Sequence, residues 1–297
     1  MHSLCRWAVL LIAVFTAVAC SAQTPQAFPE RPIELVSVTF SVSDHQDHFI
    51  KDVGAEQVTV LDNGKPAKLA KFESAGSRPL RIGILIDKSR SMWEMLPATQ
   101  HALNGFTEEV VRGPDEAFVL AFDEVADQAT DFTGDPKLLS AAINSIRRGG
   151  ASSVWDAVYF ACRERLAPES ANARLAIVLI SDTDDNQSRT TSKEAMEMAQ
   201  RAGVTVYVIG ADEEERGTYS GKKLAEATGG RALFPGTGKR SLDKALHAVA
   251  EELGAQYYVE FRPVDLQHDG QFHSIQVRPE DKKLKVRARK GYFAPKN

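Results

Sequence analysis

The chain has 297 residues, carries 36 Lys and Arg against 40 Asp and Glu for a net charge of -4, and is 43% hydrophobic. A slightly acidic balance offers no electrostatic footprint for nucleic acid, and this apolar content over this length can build one large or two modest cored domains. The three cysteines, Cys5, Cys20 and Cys162, give the folded body no disulfide framework.

Met1-His2-Ser3-Leu4-Cys5-Arg6 leads into an apolar run over residues 7–19, followed by Ser21-Ala22-Gln23-Thr24-Pro25. The run is short for a bilayer-spanning helix, which needs about 20 residues, and the small Ala17 and Ala19 suit a signal peptidase. Residues 1–22 therefore read as an export leader, which directs the chain to the periplasm, the cell envelope or the extracellular space. Ala17-Val18-Ala19-Cys20 also permits a lipoprotein signal ending at 19, so that membrane attachment depends on lipidation of Cys20.

Residues 31–75 form an N-terminal β segment. β-branched residues alternate with polar ones over 33–42, and Asp62-Asn63-Gly64-Lys65 is a hairpin turn. Small and polar residues at 74–79 mark a linker. Over 79–256, continuous apolar strands at 81–87, 117–122, 175–182, 204–210 and 231–234 alternate with helices at 98–111, 136–146, 154–166, 193–202, 222–227 and 242–253. The pattern predicts an α/β fold, a doubly wound and largely parallel sheet covered on both faces. Strand patterns resume over 257–294 and are expected to pack with 31–75 as a small β module. Arg278 to Asn297 holds eight basic and two acidic residues. Alternation of apolar and cationic residues at 284–289 reads as a half-buried strand with a solvated face rather than a polyanion patch.

The chemistry concentrates where two apolar strands end. Asp87-Lys88-Ser89-Arg90-Ser91 delivers one carboxylate and two hydroxyls at alternate positions, Ala151-Ser152-Ser153-Val154-Trp155-Asp156-Ala157 places hydroxyls just before a helix, and Ser181-Asp182 ends the second strand with another carboxylate. Short oxygen side chains on rigid strand ends suit a hard cation such as Mg²⁺, which takes about six oxygens and keeps some of its waters. In an open α/β sheet this strand edge is where ligands bind.

These segments resemble the metal-ion-dependent adhesion site of the von Willebrand factor A domain, whose pattern is Asp-x-Ser-x-Ser, then Thr, then Asp. The first element matches completely, Ser152 falls on the Thr and Asp182 on the final Asp, while Thr183 stands where members often carry Gly. The resemblance implies a Rossmann-like fold and a metal held by Asp87, Ser89, Ser91, Ser152 and Asp182, directly or through water. It also implies Mg²⁺, with Mn²⁺ or Ca²⁺ as alternatives, and a protein partner presenting Asp or Glu to an open coordination position. Glu56 to Lys65 before the A domain and Lys290-Gly-Tyr-Phe-Ala-Pro295 after it look like secreted bacterial proteins with an A domain inserted between β segments.

Several other features carry weaker readings. Lys88 and Arg90 would raise the positive potential beside the site, and Trp93 is either a rim anchor or a buried ring, as are Met92 and Met95. The acidic run at 212–215 reads as a solvated loop, His45 and His48 lack a third zinc partner, and Cys162 reads as a small apolar residue in a helix. No metalloprotease, serine-hydrolase or phosphate-loop motif occurs. The expected function is a non-enzymatic, exported, metal-dependent module for adhesion or assembly. The alternatives are a structural envelope protein with an unengaged site and a metal-dependent hydrolase using Asp184 or Asp185 as base.

Overall fold

The computed structural model describes residues 35–74, 77–169, 173–210, 217–265 and 268–296. The expected leader with Cys20 and the acidic run at 212–215 lie outside the described residues, as do Ala75 and Gly76 of the linker. Among the described residues no helix is long and apolar enough to cross a membrane.

The central layer is a six-stranded sheet made of β5 (Leu80–Asp87), β6 (Glu116–Phe122), β7 (Ala126–Thr133), β8 (Arg174–Ile180), β9 (Thr205–Ile209) and β10 (Ala232–Leu233), in the order β10-β9-β8-β5-β6-β7. All neighbours are parallel except β7, which runs antiparallel to β6 at the edge. Ile82, Ile84 and Ile86 of β5 pack with Leu103 and Phe106 of α1 (Leu96–Val110), Leu139 and Ile143 of α2 (Pro136–Ser145), and Leu246 and Val249 of α6 (Lys239–Leu253). Leu85 and Phe118 point the other way, toward Val158 of α3 (Val154–Phe160), Ala199 of α4 (Ser192–Ala202) and Leu224 of α5 (Thr218–Thr228). The doubly wound fold thus follows from strands that bury both of their faces. Helix ends obey local chemistry: Thr191 and Glu194 form a capping box at the start of α4, and Gly203 closes it at φ 70°.

Strand β7 is absent from the sequence reading. Its sequence, Ala-Asp-Gln-Ala-Thr-Asp-Phe-Thr, has no apolar run, because an edge strand needs only one paired side and here has no fully buried residue. The helix at 154–166 changes character midway, since residues Ala161–Leu166 take up a π-helix after α3.

The flanking segments pair with each other. β1 (Val36–Ser43), β4 (Lys68–Glu73), β11 (Tyr257–Arg262) and β13 (Lys285–Ala288) make one antiparallel sheet in the order β13-β1-β11-β4. β2 (Val58–Asp62), β3 (Lys65–Pro66), β12 (Phe272–Pro279) and β14 (Gly291–Phe293) make a second in the order β14-β12-β2-β3. Phe40, Tyr257 and Phe261 from the first sheet share one core with Val60, Val277 and Tyr292 from the second. The β2–β3 turn places Asn63 at φ 47° and Gly64 at φ 80°, the two left-handed residues that a two-residue hairpin of this twist requires.

Buried charges join the β module to the α/β layer. Glu252, near the end of α6, is 0% exposed and accepts hydrogen bonds from Ser41 of β1 at 2.9 Å and from Arg287 of β13 at 3.0 and 3.1 Å. The Arg289 guanidinium donates to the carbonyls of Gln200 at 2.9 Å and Ser37 at 2.6 Å, and burial pushes its pKa down to about 10. The cationic positions of 284–289 are therefore only partly solvated: Arg287 and Arg289 turn inward as ties. Glu252→Leu strands Ser41 and half-exposed Arg287, so we expect a loss of about 2 kcal/mol. A lowered urea midpoint at unchanged slope is the expected readout, and an unchanged midpoint would show that this tie contributes nothing.

Candidate metal site

Strand β5 ends at Asp87 and β8 at Ile180, just before Ser181 and Asp182. Because Ile86 lies opposite Ile180 in a parallel pair, both carboxylates leave the same edge of the sheet. Asp87 is 1% exposed. Its Oδ1 accepts the backbone N–H of Ser89 at 2.9 Å, and its Oδ2 accepts the hydroxyls of Ser152 at 3.0 Å and Ser181 at 2.7 Å. The hydroxyls of Ser89 and Ser91 lie 3.3 Å apart, with Ser89 buried and Ser91 exposed. Asp87, Ser89, Ser91 and Ser152 thereby form one hydrogen-bonded group, and Asp182 lies close enough for its charge to act on Asp87.

The loops are held as firmly as the strands. Lys88 N–H donates to the Phe122 carbonyl at 2.9 Å, Arg90 N–H to Gly150 at 2.8 Å, and Gly149 N–H to Lys88 at 2.7 Å. Ser152 N–H donates to Asn186 Oδ1 at 3.1 Å, while the Ser152 carbonyl accepts from the N–H groups of Asn186 and Gln187. Sequence reasoning assigned no role to Ser181 or Asn186. Ser181 was legible in principle, as a strand-end hydroxyl beside a buried carboxylate that needs donors.

Thr183 takes the left-handed conformation that glycine adopts freely, with φ 56°. A non-glycine residue there costs on the order of 1 kcal/mol. Two hydrogen bonds hold it: its N–H donates to Ser181 Oγ at 2.9 Å and its Oγ1 donates to the Gly217 carbonyl at 2.6 Å. The threonine thus reaches the loop shape expected of glycine and adds an anchor to the start of α5.

Burial pushes the Asp87 pKa up to about 6, against hydrogen bonds from Ser89 and Ser181 that lower it, and the charge of Asp182 pushes the same way as burial. Lys88 gives no relief, since it pairs with Asp123 at 3.3 Å and Asp127 at 2.8 Å. Among the described residues no Lys, Arg or His side chain forms an ion pair with Asp87 or Asp182. Buried negative charge without a cationic partner, ringed by hydroxyls and free of imidazole or thiolate, is a donor set that fits Mg²⁺, Mn²⁺ or Ca²⁺. Among the described residues no cluster of three or more His, Cys, Asp or Glu side chains could hold a metal, as expected where hydroxyls outnumber carboxylates.

The remaining candidates resolve into structural roles. Trp93 is half-buried, donating through Nε1 to the Gly149 carbonyl at 3.2 Å, while Met92 and Met95 lie in the core. Asp185 accepts the N–H groups of Trp155 and Ser188 together with the Ser188 hydroxyl. His48 lies 3.0 Å from Asp44. Cys162 is fully buried and burial raises its thiol pKa.

The family model described as von Willebrand factor type A domain matches residues 82–235. A von Willebrand factor type A structure from Catenulispora acidiphila superposes with a TM-score of 0.54 at 13% identity, covering 90% of this chain and 76% of that one. Proximal thread matrix protein 1 of the mussel byssus, described with a zinc-occupied MIDAS motif, gives 0.51 at 15% identity, covering 61% and 49%. The vWF domain of the type V pili tip protein Mfa5 from Porphyromonas gingivalis gives 0.49 at 13% identity, covering 60% and 95%. No match was found among curated protein sequences.

A Cβ on Gly217 would stand 2.1 Å from the Thr183 carbonyl carbon, a backbone atom with no room to yield. Gly217→Ala is therefore expected to displace the loop bearing Asp182 and to cost about 2 kcal/mol as an overpacking substitution. Thermal unfolding measures this, and wild-type stability in the variant would mean that α5 and the loop separate freely.

Proposed function

Because the chain belongs to the von Willebrand factor type A domain family, we propose that it is an exported binding module whose divalent cation takes a carboxylate from a protein partner. The observation that carries the reading is Asp87: a buried carboxylate that accepts the hydroxyls of Ser152 and Ser181 and, among the described residues, has no cationic side chain as partner. Asp87, Ser89, Ser91, Ser152 and Asp182 would hold the ion, either directly or through water. When bound, Mg²⁺, or alternatively Mn²⁺ or Ca²⁺, supplies an electrophilic position for an outside oxygen. Exposed Ser91 lies on the open side of this group, where an Asp or Glu of a partner has access. Zinc in the mussel protein's motif keeps the choice of ion a matter for titration.

Two exposed apolar side chains flank the site and favour a protein as partner. Val125 is 63% exposed in the turn after β6, and Tyr219 is 75% exposed at the start of α5. Isolated exposed apolar residues mean little, but a pair of them beside a charged position adds contact area for a partner. The role is adhesion or assembly at the cell envelope or outside the cell, and the address rests on the leader read at residues 1–22.

A non-catalytic role is part of the proposal. Asp185, one nominated base, is occupied in holding Trp155 and Ser188.

Calorimetric titration with Mg²⁺ tests the site. Asp87→Ala is expected to abolish binding while leaving the far-ultraviolet circular dichroism unchanged, and undiminished binding in the variant would locate the ion elsewhere. Capture from envelope extract with and without chelator tests the partner: a retained protein should be lost on metal removal. Turnover of peptide, ester or phosphoester substrates that disappears with Asp182→Ala would overturn the binding-module reading.

A further inference from the structure

The geometry points to a second contact beside the metal position, an arginine-lined shelf around Trp93 that takes additional carboxylates of the same acidic partner segment. It rests on the metal-directed reading proposed above. Arg90 stands between Ser89 and Ser91, and its N–H bond to Gly150 draws the loop of the metal site against the loop that follows α2. Its guanidinium carbon lies 5.7 Å from the Trp93 ring centre, and that of Arg148 lies 5.5 Å from the same ring. Arg147 follows on the adjoining rim, where a depression of about 430 Å³ opens over Leu96 and Pro97.

Charge decides what this surface recognises. Arg90, Arg147 and Arg148 are all exposed, and among the described residues none of them forms an ion pair. The other cation of the loop, Lys88, is already neutralised by Asp123 and Asp127. Against three guanidinium groups stand two exposed acids, Glu94 in the same loop and Glu124, which already accepts the Ala151 N–H. Planar guanidinium forks match carboxylates two bonds at a time. Stacking on the tryptophan limits the freedom of two of them, so less entropy is lost when a ligand arrives.

The occupant is an acidic protein segment with an apolar residue among its carboxylates. The floor of Leu96 and Pro97 accepts an aliphatic side chain, and the adjoining metal position takes one carboxylate. The whole chain carries a net charge of -4, which opposes adsorption of long polyanions such as nucleic acid.

The probe is a fluorescein-labelled peptide carrying Asp-Leu-Glu-Glu between Gly-Ser flanks, with a control in which Gln replaces both Glu residues. Fluorescence anisotropy with the full chain in Mg²⁺ is expected to show the Glu peptide binding about tenfold more tightly than the Gln peptide, with the difference shrinking as salt rises. The double variant Arg147→Glu, Arg148→Glu should lose that preference while keeping wild-type Mg²⁺ binding and thermal stability, since both side chains are exposed. No binding of the Glu peptide, or an equal preference in the double variant, overturns the inference and leaves the metal site standing. A Glu preference that survives chelator in a chain showing no Mg²⁺ binding supports the shelf and sinks the metal reading instead. Tighter binding of an oligothymidylate or of phosphatidylserine vesicles through the same two arginines also overturns it, because the shelf would then serve another class of partner.

Discussion

Withdrawing the Asp87 carboxylate from water is the cost around which this molecule is arranged. β5 is hydrogen-bonded along both sides, from Arg81 opposite Glu116 to Asp87 opposite Phe122, and from Leu80 opposite Arg174 to Ile86 opposite Ile180. A strand so held cannot lift its terminal residue into solvent. The charge must be met where it stands, and the loops meet it with two hydroxyls and one N–H. Those donors come from separate segments, so each loop takes its place partly to serve one buried oxygen pair.

The parts legible in the sequence are those where a residue type has a single physical use. Continuous apolar runs could only be strands buried on both faces, and Asp87, Ser89, Ser91, Ser152 and Asp182 fall where strand ends and a helix start bring them together. Asn63-Gly64 announced its turn because few residues accept two left-handed positions in succession. The opacity lies in residues whose role depends on distant neighbours. Polar β7 becomes a strand because β6 offers an unpaired edge, and Ser181 matters through a carboxylate 94 positions away. Lys88 looked like a source of positive potential at the site, yet Asp123 and Asp127 claim it, a pairing that no spacing rule encodes.

The joint between the two halves of the fold uses the same currency in reverse. Glu252, Arg287 and Arg289 are charged residues at positions where apolar packing would hold as well, but apolar contacts tolerate sliding and these hydrogen bonds do not. Ser41 on β1, the guanidinium groups of Arg287 in β13 and Arg289 just after it, and the carbonyls of Gln200 in α4 and Ser37 in β1 each specify one register. The β module therefore adopts a defined orientation against the α/β layer, including the side of α6 farthest from the metal position.

The α/β layer enters after β4 and returns at β11, and these strands lie side by side, Phe72 opposite Val259. Both necks of the insertion thus issue from one seam. A pull applied between the outer ends of the module, at β1 and β14, is carried through the sandwich, by shear across β1 and β11 and by the shared core, and does not run through β5 or its loops. The α/β layer is suspended from that seam like a pendant from a taut cord. Tension between those ends also reaches the α/β layer through the bonds of Ser41 and Arg287 to Glu252 and of Arg289 to Gln200, on helices that carry none of Asp87, Ser89, Ser91, Ser152 or Asp182.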